Sequence, residues 1–202
     1  MGDFAQLQRV FSDIYSQGTW GNGSGPGSAP RNTIEYRSFL ENFIRANQVA
    51  TITDLGCGDW QFSRLLDFSG CTYTGFDVVP EVVERNRARF GAPNVNFQIL
   101  DGPEALPGGD LLVSKEVLQH LPNQTAMDYL KVALERYKYC LITNNIEPEP
   151  HCNVDTHPGG CRPLRMDRPP FSIKGALVST YYVFADGSYW KNGVFLALGA
   201  GS

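Results

Sequence analysis

The sequence predicts an α/β protein: a mostly parallel sheet with helices on both faces, closed by an antiparallel hairpin. Three observations predict it. Short β-branched or apolar runs alternate with helical patterns from about residue 50 to residue 143, and such alternation marks strand–helix–strand units. A glycine turn, Gly56-Cys57-Gly58, directly follows the first run. Near the end, 178–184 and 189–198 are strand-like and flank Ala185-Asp186-Gly187-Ser188, a hairpin turn signal.

The elements follow in order. Over 3–16, Phe4, Leu7, Val10, Phe11 and Ile14 fall at helical spacing. The stretch 17–30 is rich in Gly and Ser and carries Trp20. Asn32 or Thr33 is placed to cap a second helix reaching about Ala46, which carries Ile34, Phe39, Leu40, Phe43 and Ile44. A strand over 50–55 enters the glycine turn, and a helix is expected over 60–67. A strand over 72–77 follows, and Pro80 suits the first turn of a helix ending near Phe90. Strands over 95–99 and 110–114, a helix over 123–136 and a strand over 139–143 complete the alternation. The region 145–170 holds six prolines and reads as a long loop; loops of that length are usually functional or disordered. No internal repeat is present.

The 202 residues suffice for one domain with a full core. Apolar content of 42% is that of an ordinary globular protein. A net charge of −4, a pI near 5.4 and the lack of a dense basic stretch argue against a nucleic-acid partner. The cluster Glu84-Arg85-Asn86-Arg87-Ala88-Arg89 reads as a solvated helix face. No apolar run reaches membrane-spanning length and no signal peptide opens the chain, so no membrane and a cytoplasmic setting are expected. The five cysteines, Cys57, Cys71, Cys140, Cys152 and Cys161, are odd in number and fit reduced intracellular use better than a disulfide framework.

Most of the chemistry lies in Asp54-Leu55-Gly56-Cys57-Gly58-Asp59. Glycine lets the backbone turn tightly and lets a ligand approach the main chain. Dinucleotide sites use the same layout, but their fingerprint wants a third glycine where Gln61 stands. Acidic residues flank this turn, and the next strand ends in Gly75-Phe76-Asp77.

Together, 54–59 and 75–77 resemble the first two motifs of class I S-adenosylmethionine-dependent methyltransferases. The resemblance covers about 49–198. It implies a Rossmann-like seven-stranded sheet, S-adenosylmethionine as cofactor, and methyl transfer as the activity. It leaves 1–48 as an N-terminal helical lid segment beside a methyltransferase core over 49–202. The ligand's chemistry agrees. Its ammonium and sulfonium suit acidic groups, it lacks the pyrophosphate that a third glycine serves, and both ribose hydroxyls can donate to one carboxylate. On this reading Gly56, Cys57 and Gly58, flanked by Asp54 and Asp59, cradle the methionine part. Asp77 takes the ribose hydroxyls and Val78 packs on adenine. A turn that binds nothing, and a helix cap ahead of Pro80, are the plain readings of the same residues. Asp101, followed by Gly102, stands where the family places an acidic residue against the adenine amino group; a simple turn residue would look the same.

Ser114 to Leu121 follow a strand at the sheet's carboxyl end, where open α/β sheets place ligand-contacting groups. This segment is similar to the Glu-Val-Leu-x-His-Leu stretch of many such methyltransferases. His120, with its near-neutral pKa, is the first candidate base for the acceptor, and Lys115 is grouped with the cofactor residues. A satisfied structural histidine is the alternative. Glu116 and Asp155 stand behind it. Gln119 replaces the glutamate of the metal-binding version, and the spacing of His151, Cys152, His157 and Cys161 matches no zinc pattern, so no metal is expected. Asn153, Asp155, His157 and Arg162 suit an acceptor's hydroxyls instead. Trp20-Gly21-Asn22-Gly23-Ser24-Gly25 ahead of Tyr36-Arg37 is similar to a segment of small methyltransferases of this type. A lid over the cofactor explains its glycines and its aromatic anchor, with Arg37 a candidate partner for the methionine carboxylate.

The chain is also similar to small methyltransferases that accompany, or are fused to, glycosyltransferases in bacterial and large-virus glycan assembly. The expected acceptor is therefore a glycan or other small molecule, and the expected reaction O-methylation of a sugar hydroxyl. N- or O-methylation of another small metabolite, and a noncatalytic nucleotide-cofactor-binding domain, stay open as alternatives.

Overall fold

A computed structural model of the chain describes residues 4–201. Residues 1–3, where the expected first helix begins, and residue 202 lie outside the described residues. The helices are α1 (Phe4–Gln17), α2 (Ile34–Ala46), α3 (Pro80–Phe90) and α4 (Asn123–Arg136). The strands are β1 (Thr51–Leu55), β2 (Thr72–Asp77), β3 (Val95–Ile99), β4 (Gly109–Lys115), β5 (Tyr137–Asn145), β6 (Gly175–Ala185) and β7 (Ser188–Leu198). They form one sheet in the order β3-β2-β1-β4-β5-β7-β6. The first five strands pair in parallel, and β7 pairs antiparallel with both β5 and β6. This is the Rossmann-like seven-stranded sheet with a terminal hairpin.

Both faces of the central strands are buried, which explains their near-continuous apolar runs. Along β4 and β5 successive side chains part company: Leu112, Cys140 and Ile142 join one core with α4 and the buried Leu7 and Phe11 of α1. Leu111, Val113 and Leu141 join the other, with Tyr36, Leu40 and Ile44 of α2.

The expected helix over 60–67 is replaced by a single 3₁₀ turn, Ser63–Leu65. Trp60 adopts φ 59°, in the left-handed region, so a right-handed helix cannot pass through it. Its indole is drawn instead into an aromatic group, stacked on Phe68 at 6.1 Å and edge-on to Phe97 at 5.2 Å. Helix propensities differ by up to about 0.7 kcal/mol per ordinary residue, whereas truncating a buried aromatic to Ala costs about 3–5 kcal/mol. Burial wins here.

Thr33 precedes α2, its hydroxyl donating back to Ala29 and Pro30 carbonyls. Asn32 does not cap. Its amide donates to the Pro26 and Phe184 carbonyls, both at 2.9 Å, tying the N-terminal segment to the end of β6. The proline-rich loop after β5 is held from within. Asn153 donates to the carbonyls of Arg165 (2.9 Å) and Pro169 (2.8 Å) and accepts from the Arg165 N–H. The five cysteines are all free. Among the described residues no helix is long and apolar enough to cross a membrane.

Candidate active site

From the adjacent strands β1 and β4 the chain winds outward in opposite directions, and such a reversal leaves a crevice at the strands' carboxyl ends. A cavity of about 380 Å³ lies there. One half is walled by the ends of β1 to β3 through Asp54, Gly56, Cys57, Gly58, Asp77, Val78 and Leu100. The other half is walled by the ends of β4, β5 and β7 through Lys115, Glu116, Gln119, His120, Asn145 and Trp190. Leu7, Phe11 and Tyr15 of α1, with Trp20 and 24–28, add a wall from the N-terminal segment.

In the first half the glycines are needed. Gly56 and Gly58 have φ of 75° and 56°, where a side chain strains the backbone, and a Cβ would run into Val117 and Ser24 respectively. The turn is pinned by the Gly56 and Cys57 N–H groups, which donate to the Phe76 carbonyl at 2.8 and 2.9 Å. The buried Asp77 accepts the N–H groups of Gly58 and Val79, both at 3.0 Å. It therefore serves the turn and the start of α3 while also facing the cavity. The buried Asp54 accepts the Tyr73 hydroxyl at 2.6 Å. Burial pushes the carboxyls of Asp54 and Asp77 up to about 6. Each carboxylate offers about four acceptor positions, so acceptor capacity remains in both.

In the second half the charges satisfy one another. Glu116 has φ 56°, a conformation non-glycine residues rarely hold. Its carboxylate is ion-paired with Lys115 and accepts the Trp190 indole N–H at 3.3 Å. Burial works to raise the Glu116 pKa, but the Lys115 ammonium and donors from Lys115, Asn192 and Trp190 outweigh it and hold the carboxyl below its ordinary value. Lys115 also donates to the Gly27 carbonyl at 2.8 Å. His120 Nδ1 lies 2.8 Å from the Gly160 carbonyl. A carbonyl only accepts, so Nδ1 carries the proton and Nε2 keeps its lone pair, toward which the Gln119 amide donates at 3.5 Å. Burial lowers the His120 pKa below its ordinary value, so the ring is neutral at pH 7. It packs 5.1 Å from the Trp20 ring.

Eight candidate residues, Arg37, Asp59, Asp101, Gly102, Asn153, Asp155, His157 and Arg162, fall outside the cavity lining. Asp59 turns to the N-terminal segment, accepting the Ser24 hydroxyl at 2.7 Å. Arg37 reaches the Pro30 carbonyl at 3.5 Å, with its Nε buried and unpartnered. Asp101 is exposed and Gly102 lies beside it. Asp155 is exposed and accepts the N–H groups of Asn123 and Thr156, both at 2.8 Å. It caps α4, and those bonds hold its carboxyl below the ordinary range. In the loop Arg162 also turns inward, donating to the Leu118 carbonyl and to Asn123. Conversely, Tyr15, Asn145 and Trp190 line the cavity without having been singled out by their sequence neighbourhood. Nothing local marks them, because long-range pairing brings them there.

The residues present fit S-adenosylmethionine. Two buried carboxylates suit its cationic groups and hydroxyls, and Val78, Leu100 and Tyr129 supply an apolar wall for a flat base. Residues 53–139 match the family model described as methyltransferase domain. No curated protein sequence matches the chain significantly. Among solved structures, the chain is similar to magnesium protoporphyrin IX methyltransferase (ChlM) from Synechocystis PCC 6803 with bound SAH, at 12% identity. That alignment covers 95% of this chain and 99% of the other, with TM-score 0.65. It is also similar to the methyltransferase domain of bacterial CtHen1, at 19% identity, over 80% of this chain and 97% of that one, with TM-score 0.58. A structure described as "Conversion of a Disulfide Bond into a Thioacetal Group during Echinomycin Biosynthesis" is 15% identical over 94% and 91%, with TM-score 0.64. At these identities what is shared is the fold. With the family match, the chain carries a methyltransferase domain, and such a domain implies S-adenosylmethionine as the methyl donor.

Proposed function

We propose that this S-adenosylmethionine-dependent methyltransferase methylates a hydroxyl of a small molecule, and that the hydroxyl belongs to a sugar of a glycan. One observation carries the reading: His120, neutral and with Nε2 unprotonated, faces the same cavity as the glycine turn and Asp77. S-adenosylmethionine, when bound, supplies an electrophilic methyl group on a sulfonium.

Gly56, Gly58, Asp54 and Asp77, with Val78, bind and orient the donor in the first half. Cys57 lies within that turn. Asp59 and Trp20 act through the N-terminal segment, which serves as a lid: Asp59 fastens Ser24, and Trp20 packs on His120. Asp101, Gly102 and Arg37 have no place in this assignment. In the second half Glu116, Gln119 and Asn145 offer polar groups for a hydroxylated acceptor. His120 Nε2 takes the hydroxyl proton as the oxygen–carbon bond forms and the carbon–sulfur bond breaks. Such base assistance is worth about 10²–10⁴-fold, and alignment about 7–11 kcal/mol. Glu116, held ionised, is too weak a base to compete and orients instead. The acidic net charge fits a glycan better than a nucleic acid. The free cysteines fit a cytoplasmic setting, and the likeness of the sequence to partners of glycosyltransferases supports action beside one.

The test is methyl transfer from radiolabelled S-adenosylmethionine to panels of sugar glycosides, amines and phenols, with S-adenosylhomocysteine binding followed by calorimetry. Binding together with labelled sugar ethers is expected. Methylation of amines but not of sugars overturns the acceptor. Binding without turnover on any panel returns the chain to a noncatalytic domain.

A further inference from the structure

We propose that Trp190, anchored through Glu116, is the surface on which the acceptor's ring stacks, making the acceptor subsite select cyclic sugars over open-chain polyols. This rests on the sugar reading above and names the residue that sets its specificity.

Trp190 lines the cavity from β7, which β4 and β5 separate from β1 and its glycine turn. It therefore belongs to the half that the donor does not need. Its indole N–H is engaged by Glu116 at 3.3 Å. With that edge satisfied, the part of the half-buried side chain left to a ligand is its ring. The face of an aromatic ring is electron-rich, and the slightly positive C–H bonds on one side of a pyranose form a flat surface that fits it. An acyclic polyol has no such surface.

The anchor is rigid. Glu116 is ion-paired with Lys115, and Lys115 also donates to the Gly27 carbonyl at 2.8 Å. The left-handed backbone of Glu116 is an outlier of the kind that folded structure maintains at binding sites. An amine acceptor is disfavoured here because Lys115 already neutralises Glu116. A wholly apolar ring is disfavoured because His120, Gln119 and Asn145 share that end of the cavity.

The experiment measures KM for methyl pyranosides and for alditols with the full chain, Trp190→Ala and Trp190→Phe, together with S-adenosylhomocysteine affinity. Trp190→Ala is expected to raise the pyranoside KM about tenfold, the scale of a lost aromatic contact, with S-adenosylhomocysteine affinity unchanged. Trp190→Phe, which keeps a ring but loses the N–H, should fall between and remains informative if the alanine variant does not fold. A pyranoside KM indifferent to both substitutions, or alditols used as well as pyranosides, overturns the proposal while leaving the sugar reading in place. A wild-type chain that binds S-adenosylhomocysteine but methylates only amines overturns the sugar reading itself.

Discussion

The two halves of the cavity hold carboxylates of opposite temper. In the donor half, burial lifts Asp54 and Asp77 to about 6, and their main partners are a phenol and backbone N–H groups. In the acceptor half, Glu116 lies beside an ammonium and an indole N–H and is held below its ordinary value. The difference teaches what each half awaits. Lys115 acts on Asp54 from a distance but is ion-paired to Glu116, and buried acids outside any ion pair suit a cationic ligand, which adds to their charge balance on arrival. A carboxylate already paired by its own chain has little to gain from a cation and serves as a fixed acceptor. On the proposed assignment the donor half is completed by its ligand, and the acceptor half is complete beforehand.

The sharpest separation of the halves comes from His120→Ala. Turnover should fall by about 10²–10⁴-fold, the range of base assistance, while S-adenosylhomocysteine affinity, measured by calorimetry, stays at the wild-type value. Full turnover in the variant would make His120 a packing residue for Trp20 and nothing more.

Asp77→Ala should do the reverse. Losing two charge-assisted bonds at roughly 1.5 kcal/mol each predicts an affinity for S-adenosylhomocysteine about 100-fold weaker. Thermal stability should fall too, because the Gly58 and Val79 N–H groups lose their acceptor. A lowered melting temperature with unchanged affinity would reduce Asp77 to a turn fastener and erase the contrast between the halves.

The same contrast governs what can be read without coordinates. The donor half is legible because it is local. A strand, two glycines and a carboxylate nineteen residues on (Gly58 N–H to Asp77) form one βαβ-like unit whose residues speak through spacing. The parallel strands and α4 are legible through their runs of apolar residues. The expected helix over 60–67 fails because four aromatic partners, Phe68, Tyr73, Phe90 and Phe97, gather around Trp60 from beyond its own segment. The acceptor half is legible only in the segment after β4, which holds Lys115, Glu116 and His120; its remaining wall is hidden for the same reason. Trp190 meets Glu116 only because β7 runs back antiparallel beside β5. Acidic residues chosen by position, Asp59 and Asp155, turn out to fasten Ser24 and α4. Asp or Glu near a turn looks alike whether it faces a ligand or a backbone N–H.

A smaller effect probes the halves through pH. Asp54 and Asp77 titrate near 6 in the folded chain, above the 3.8 of an unfolded carboxyl. Between about pH 4 and 6 the folded state therefore holds more protons than the unfolded one. Their contribution to stability is fully present below 3.8 and is lost as pH rises through 6. Ligand affinity runs the other way, since a cationic ligand wants both groups ionised. S-adenosylmethionine binding should weaken as pH falls below 6, by up to about tenfold per unit for each carboxylate that must lose its proton. Glu116, with its lowered pKa, stays ionised through that window and adds nothing to the slope. Calorimetric affinity at pH 5 and pH 7.5 measures the effect, and Asp54→Asn should reduce it to the share of Asp77. A pH-independent affinity would mean that the donor half, like the acceptor half, is neutralised by its own chain, and the two would no longer differ.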